Sequence, residues 1–207
     1  MNIAQMSKTI TTEVNMPDTK LSIKNSPYAS VADFKQIFDE DMNSLYLLSL
    51  LLTADREMAE QCFVAGLQDA TKDNPVFKEW ARSWARRTVV LNAVRVVNPR
   101  PMDATGTTRP ELLDTLSAEE RPYAAILELE AFDRFVYVMS VLERYSDHHC
   151  ALLLGCAKHN IVTARSRALQ QSGEAALRSK ARTEKTSHEC SDSAIGPLTT
   201  PHLVTSA

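Results

Sequence analysis

Hydrophobic residues recur every three or four positions in the first half of the chain, which is the spacing of one face of an α-helix. The pattern includes Val31, Phe34, Ile37, Phe38, Leu45, Leu48 and Leu52. Thr53 is the predicted N-cap of a second helix, because Asp55 and Glu57 would then stand in its first turn. The apolar face of that helix would carry Met58, Cys62 and Leu67.

A third helix is predicted to begin near Asn74 and Pro75, since proline is favoured in the first turn of a helix. Its expected core residues are Phe77, Trp80, Trp84 and Val94. The segment "NPRPMDATGTTRP" then breaks every helical period with its prolines and a glycine. We therefore assign residues 99–116 to a linker between two helical domains.

The second half of the chain returns to helical spacing. Ser117 and Glu120 have the spacing of a capping box, and a long helix should follow them. Its apolar face is expected to contain Phe132, Phe135, Val136, Met139 and Leu142. A short helix from Asp147 to Leu154, a turn at Gly155 and a final helix from about Lys158 to Gln171 complete the second domain.

Composition supports an all-α fold. The chain has 207 residues, of which 44% are hydrophobic and only five are glycine. Leu, Ala, Glu and Arg, all strong helix formers, dominate its middle. The predicted organisation is a disordered arm (1–29), a first helical domain (30–98), the linker (99–116), a second helical domain (117–171) and a disordered tail (172–207).

The formal net charge of −3 hides a basic segment between positions 78 and 100. Six basic residues stand there against one acid, Glu79, so this segment could bind nucleic acid. The first 20 residues contain no signal-peptide-like apolar stretch, and the longest apolar run, "LYLLSLLL", is too short to cross a membrane. Four cysteines in a chain of this length are typical of reduced thiols, so we expect a cytoplasmic protein without membrane association.

The stretch "DHHCALLLGCAKHNIVTARSRAL" allows two interpretations. The first is a zinc site, because several of its side chains are common metal ligands: His148, His149, Cys150, Cys156 and His159. Their spacing matches no common structural zinc pattern, however. We therefore predict no metal site, with Cys150 and Cys156 facing inward and the histidines exposed.

The second interpretation is a helix-turn-helix, which needs a small residue where its helices cross, a glycine in the turn and an aliphatic residue six positions later. Ala151, Gly155 and Ile161 satisfy these needs. Polar and basic residues of the second helix would then face DNA. These candidates are Lys158, His159, Asn160, Thr163, Arg165, Ser166 and Arg167, the arginines being expected on phosphates.

Taken in order, these segments resemble the sigma-70 family of bacterial RNA polymerase sigma factors, of the small extracytoplasmic-function type with regions 2 and 4. "LYLLSLLLTADREMAEQCFVAGL" is similar to regions 2.1–2.2, with matches at Tyr46, Leu52, Thr53, Asp55, Ala59 and Glu60. "FKEWARSWARRTVVLNAVR" is similar to regions 2.3–2.4 through Phe77, Trp80, Ala85, Arg86 and Arg95. "DRFVYVMSVLERYSDHHCALLLGCAKHNIVTARSRAL" is similar to region 4.

The resemblance implies a role in transcription initiation, with RNA polymerase core and promoter DNA as partners and an anti-sigma factor as a third candidate. Region 2 would hold the −10 element as single-stranded DNA, and region 4 would read the −35 element as a duplex. Aromatic stacking beside basic side chains is how single strands are held, and the residues implied are Trp80, Arg82, Trp84, Arg86 and Arg87. The two tryptophans could equally fill the core. The residues implied in polymerase binding are Asp55, Glu60 and Gln61.

The chain departs from the family pattern at several positions. Gln61 and Leu91 stand where aspartate is common, and Ala164 stands where arginine is usual. These departures leave an alternative open: a sigma-fold paralogue that regulates by binding DNA or protein without forming a holoenzyme. An enzyme is not predicted, and neither is a cofactor, because the chain has no glycine-rich phosphate loop and no recognisable catalytic frame.

Overall fold

The computed structural model describes residues 26–72, 75–101 and 111–189, and over these residues the protein is all-α, as predicted. Eight α-helices occur in this part of the chain: α1 (Val31–Glu40), α2 (Met42–Thr53), α3 (Arg56–Ala70), α4 (Ala81–Val97), α5 (Ala124–Leu127), α6 (Ala131–Tyr137), α7 (Asp147–Leu154) and α8 (Lys158–Glu189). The predicted arm up to residue 25, the linker centre at 102–110 and the tail from residue 190 lie outside the described residues.

Helices α1 and α2 are separated by a single residue, Asp41. Ser30 begins α1 with a capping box: its hydroxyl accepts from the Asp33 amide at 3.2 Å, and the Asp33 carboxylate accepts from the Ser30 amide at 2.7 Å. α2 then runs through the centre of the first block, which is formed by α1 to α4, with Leu45, Leu50 and Leu52 fully buried. A helix buried around most of its circumference needs the hydrophobic run that the sequence shows here.

The N-cap predicted at Thr53 is wrong by two residues. Thr53 ends α2 and donates its hydroxyl to the Ser49 carbonyl at 2.9 Å. Ala54 adopts a left-handed conformation (φ 53°), and Asp55 caps α3 by accepting the Met58 amide at 2.8 Å. The turn at Ala54 thus places the Asp55 carboxylate, rather than the Thr53 hydroxyl, over the free amides of α3.

Helices α3 and α4 approach each other closely at Gly66. A methyl group at this position would lie 2.9 Å from Val89 Cγ2 and 3.3 Å from the Val89 backbone. Small buried residues on both helices, including Ala59 and Ala85, permit the same close approach elsewhere along the contact. This packing fixes α4, which carries the basic segment, against the core.

Helix α4 begins later than predicted. Residues 75–77 are not helical, and a 3₁₀ turn at Lys78–Trp80 precedes Ala81. The reason is pairing with residues 27–29, which the sequence assigned to the arm. The Ala29 amide donates to the Val76 carbonyl at 2.7 Å and the Lys78 amide to the Pro27 carbonyl at 2.9 Å, so these groups are not available to a helix.

The second block, residues 117–189, does not contain the single long helix that the sequence predicts after Glu120; that helix is divided. Ser117 and Glu120 do bond reciprocally (2.8 and 3.3 Å), but they cap a turn that leads into a 3₁₀ segment, Arg121–Tyr123. α5 and α6 follow, and α6 ends in a π-helical turn, Val138–Leu142. The predicted apolar face holds through Met139, but Leu142 is exposed because the wider turn rotates it off that face.

The α7–α8 pair follows the predicted boundaries at α7 and at the turn. α7 spans Asp147–Leu154, and Gly155 has the left-handed conformation (φ 61°) that glycine favours. Ala151, Ile161, Ala164 and Ala168 are buried between the helices and the rest of the block. α8 continues to Glu189, beyond the end predicted at Gln171 and into the predicted tail.

The two blocks pack against each other, and their buried side chains form one hydrophobic cluster. Arg134 of α6 crosses this contact: it is 5% exposed and donates to the carbonyls of Leu52 and Thr53 at the end of α2, both at 3.3 Å. It also donates to the Leu129 carbonyl at 2.8 Å, which stabilises the break between α5 and α6. Burial lowers the pKa of Arg134 to about 10, so it remains protonated at neutral pH.

Candidate nucleic-acid interface

The start of α8 presents a polar face to solvent. Lys158, His159, Thr163 and Ser166 are all exposed, whereas Ile161, Ala164 and Ala168 on the opposite side are buried. Asn160 is half-buried. Four of the predicted DNA-contacting side chains therefore lie on one accessible face of a helix whose other face is packed.

The two arginines predicted to contact phosphates have partners within the chain. Arg165 bonds Asp147 at the start of α7. Arg167 makes a bidentate salt bridge to Asp133 of α6, with Nε–Oδ2 and Nη2–Oδ1 distances of 2.5 and 2.6 Å. Because the Asp133 carboxylate is only 1% exposed, Arg167 neutralises a buried charge. These contacts give both arginines a role in holding α8 in place.

An aromatic groove lies at the start of α4. Pro75, Val76, Phe77, Trp80, Ser83, Trp84 and Arg87 line a cavity of about 330 Å³. Trp80 is 61% exposed, so the interpretation of this residue as core is wrong; Trp84 is half-buried, and its indole N–H has no hydrogen-bond partner among the described residues. Phe77 contacts Trp80 edge-to-face, with ring centroids 5.4 Å apart. The groove offers flat apolar surface beside a cation.

The arginines of α4 are all engaged within the chain. Arg82 bonds the carboxylates of Glu40 and Asp41 between α1 and α2. Arg86 makes a bidentate salt bridge to Glu143 (Nε–Oε2 2.8 Å) and also donates to the Ser44 hydroxyl at 2.9 Å. Arg82 and Arg86 thus have their charges balanced by acids that are distant in sequence.

Arg87 contacts His149 rather than an acid. Its Nη1 lies 2.5 Å from the His149 Nε2, and the imidazole stacks on Tyr145 with centroids 4.8 Å apart. Burial first, then the charge of Arg87 and the neighbouring His148, lower the pKa of His149. A neutral imidazole can accept the arginine N–H, so the expectation that His149 points freely to solvent is wrong.

The three residues implied in polymerase binding differ in exposure and in their contacts within the chain. Asp55 is the N-cap of α3, with its carboxylate on the Met58 amide. Glu60 and Gln61 are exposed on α3. Val64, one turn beyond Glu60, is also exposed, at 52%. The outer face of α3 is therefore accessible, but its character is mixed rather than acidic.

The ligand-type side chains around Gly155 do not converge. Cys150 is fully buried, and burial raises its thiol pKa to about 11, whereas His148 and His159 are exposed. Within the described residues, no three His, Cys, Asp or Glu side chains are arranged to hold a metal ion. Cys150 lies inward as predicted, and Cys156 is half-buried.

Sequence reasoning missed four residues that shape these surfaces. Tyr28 packs against Phe77 with ring centroids 4.8 Å apart and extends the aromatic surface. Glu143 and His149 contact α4 from the other block, and Tyr145 stacks on His149. Tyr28 gave no signal because it stands among polar residues without periodicity. Glu143 and His149 contact α4 across separations of 57 and 62 positions, which no local pattern reveals.

Comparisons with protein-family models, with curated proteins and with solved structures found no match for this chain. No helix in the described part of the chain combines the length and apolar character needed to cross a bilayer.

Proposed function

We propose that this protein is a sigma-factor-like transcription initiation protein that reads duplex DNA through the start of α8. The observation that carries the proposal is the α7–Gly155–α8 unit, in which one face of α8 is packed and the other offers Lys158, His159, Thr163 and Ser166 to solvent. A helix that is held by such a turn can lie in the major groove with its first residues at the base edges.

The intrachain bonds of Arg165 and Arg167 fit this role. DNA-reading helices must be held rigidly, because base readout depends on the position of each donor and acceptor. Arg165 ties α8 to the start of α7, and Arg167 ties it to α6. In this proposal Lys158 supplies phosphate contact, and His159, Thr163 and Ser166 are the candidates for base contact.

The aromatic groove on α4 supports a second part of the proposal, the binding of single-stranded DNA. Trp80, Phe77 and Trp84 provide surfaces on which bases can stack, and Arg87 stands beside them for the phosphates. The exposed face of α3, with Glu60 and Gln61, is the proposed contact with RNA polymerase core. Free thiols at Cys62, Cys150 and Cys156 agree with the cytoplasm as the proposed location.

The pairing of the α4 arginines favours one alternative. A sigma-fold regulator that binds DNA through α8 but forms no holoenzyme would need no free basic face on α4. Titration of purified bacterial RNA polymerase core with the labelled full chain separates these possibilities. Binding that weakens in a Glu60→Ala/Gln61→Ala double variant supports the sigma-like role; retained DNA binding without core binding supports the regulator.

Duplex binding is tested with Lys158→Ala. We expect a five- to ten-fold loss of affinity, as an order of magnitude, for a labelled 30-base-pair duplex of mixed sequence at about 0.1 M salt, and a log–log salt slope shallower by about 0.9. Lys35→Ala is the matched control, because Lys35 is also exposed but lies on α1. Equal loss in both variants would mean that net charge, rather than α8, determines binding.

A further inference from the structure

The connection between α6 and α7 lies on the basic side of α4. Glu143, which is 9% exposed in its side chain, binds Arg86, and His149, in the first turn of α7, contacts Arg87. Tyr145, between them, is half-buried and stacks on His149. Two of the three α4 arginines proposed to hold single-stranded DNA are thus occupied by one short segment, residues 143–149.

The backbone around Glu143 is specialised. The Glu143 amide donates to the Val138 carbonyl at 2.9 Å, which closes the π-turn at the end of α6. Arg144 follows with φ at 57°, a left-handed conformation that is unfavourable for a residue other than glycine. The Tyr145 amide returns to the Met139 carbonyl at 2.9 Å. This ending sets Glu143 within reach of Arg86, although a regular helix would continue past it.

We propose that residues 143–149 form an intrachain cover of the α4 basic face, which nucleic acid must displace before it can bind Arg86 and Arg87. The inference rests on the proposed function, since it describes how the single-strand site on α4 is regulated. The segment binds the arginines as a phosphate would. The Glu143 carboxylate makes a bidentate interaction with the Arg86 guanidinium, and His149 offers a hydrogen-bond acceptor to Arg87.

Displacing the cover breaks the Glu143–Arg86 and His149–Arg87 contacts and leaves the bond between Asp147 and Arg165, which holds α8, in place. Its contacts with Arg86 and Arg87 of α4 are polar, and Leu142 and Arg144, on either side of Glu143, are exposed. The two blocks are held together elsewhere, by Arg134 on the end of α2 and by Arg56 of α3, whose guanidinium binds Glu120 at 2.8 and 2.9 Å. Because the covering anion is part of the same chain, it competes at a high effective concentration and should be displaced only by ligands of high charge density.

The test measures binding of a fluorescein-labelled 20-nucleotide oligo(dT) to the full chain. Glu143→Gln removes the covering charge but keeps the shape of the side chain. We expect it to bind the oligonucleotide about three to ten times more tightly than wild type at about 50 mM salt, because Arg86 becomes available to a phosphate. Glu128→Gln is the control, since Glu128 is an exposed acid of the same block and gives the same change in net charge.

Two further variants make the result specific. Adding Arg86→Ala to Glu143→Gln should remove the gain, and His149→Ala should give a smaller gain, about two-fold, by releasing Arg87. Tightening in Glu143→Gln no greater than in Glu128→Gln, with both variants melting as folded proteins, overturns the cover. Binding of the 30-base-pair duplex to Lys158→Ala is measured in parallel. If Lys158→Ala binds the duplex as well as wild type does, while Glu143→Gln still binds oligo(dT) more tightly, the proposed reading role of α8 is contradicted and the cover is supported.

Discussion

Helices α4 and α8 carry similar basic residues but use them differently. On α4, Arg82, Arg86 and Arg87 all have partners, and two of those partners come from the other block. On α8 the paired arginines, Arg165 and Arg167, hold the helix to α6 and α7, and the residues around Lys158 remain open. A count of basic residues therefore does not identify a binding face; their partners in the fold do.

The largest expected change is in the free energy of unfolding, for a substitution of Arg134, which holds α6 against α2. Arg134→Met removes donors from three carbonyls at a buried contact, and we expect a loss of about 3 kcal/mol in the free energy of unfolding, measured with urea. Arg121→Met is the control, because Arg121 is exposed. A loss as small in Arg134→Met as in the control would show that the two blocks do not depend on this contact.

Alanine substitutions at two glycines should change the stability in opposite directions: Gly66 lies where α3 crosses α4, and Gly173 lies on α8. Gly66→Ala should cost about 1–3 kcal/mol, since the new methyl group would meet Val89 of α4 at 2.9 Å. Gly173→Ala in α8 meets nothing within 4 Å and should stabilise by about 0.5–1 kcal/mol through helix propensity. Urea unfolding of both variants measures the difference, and effects of equal sign would contradict the close α3–α4 crossing.

Gly155→Ala tests the turn that presents α8. The left-handed conformation at φ 61° should make this change cost about 1 kcal/mol, although no neighbour lies within 4 Å of the new methyl group. Gly155→Asn is the comparison, because asparagine tolerates this conformation better than alanine. Thermal unfolding should rank the proteins wild type, then Asn, then Ala; an Ala variant as stable as wild type would mean that the turn adopts another conformation.

The smallest expected effect is the pH dependence of the Arg87–His149 contact. The pKa of His149 is lowered in the folded protein, so the unfolded chain takes up this proton at a higher pH than the folded chain does. The stability linked to the neutral imidazole is therefore complete above the unfolded pKa, about 6.5, and is lost as the pH falls below it. Arg87 of α4 and His148 of α7 are the charged or titratable groups that disfavour protonation.

Replacement of His149 by glutamine should remove this dependence. Urea unfolding at pH 7.5 and 5.5 should show a smaller decrease in stability for His149→Gln than for wild type. His148→Gln, a change at the exposed neighbour, should resemble wild type. A decrease that is unchanged in His149→Gln would assign the pH dependence to other groups.

Local patterns predicted most helices and the whole of α7 with its turn. Phe34 and Phe38 in α1, Met139 after α6, and Ile161 in α8 are buried at positions that the helical period indicates. The failures share a cause. The sequence predicts a helix at Phe77, which instead pairs with Tyr28. It also predicts Leu142 on an apolar face, from which the π-turn rotates this side chain. In each case hydrogen bonds to another segment, or an altered turn, overrode the local period.

The sequence alone determined the all-α class, the inward face of α8 and the chemical character of its outer face, because these depend on spacing within one helix. Only the tertiary structure decided which charged residues are available. Whether Arg86 is open or bonded to Glu143, and whether Arg167 faces a phosphate or a buried Asp133, depends on contacts between distant segments. Such contacts follow from how the two blocks pack, and no local periodicity encodes that packing.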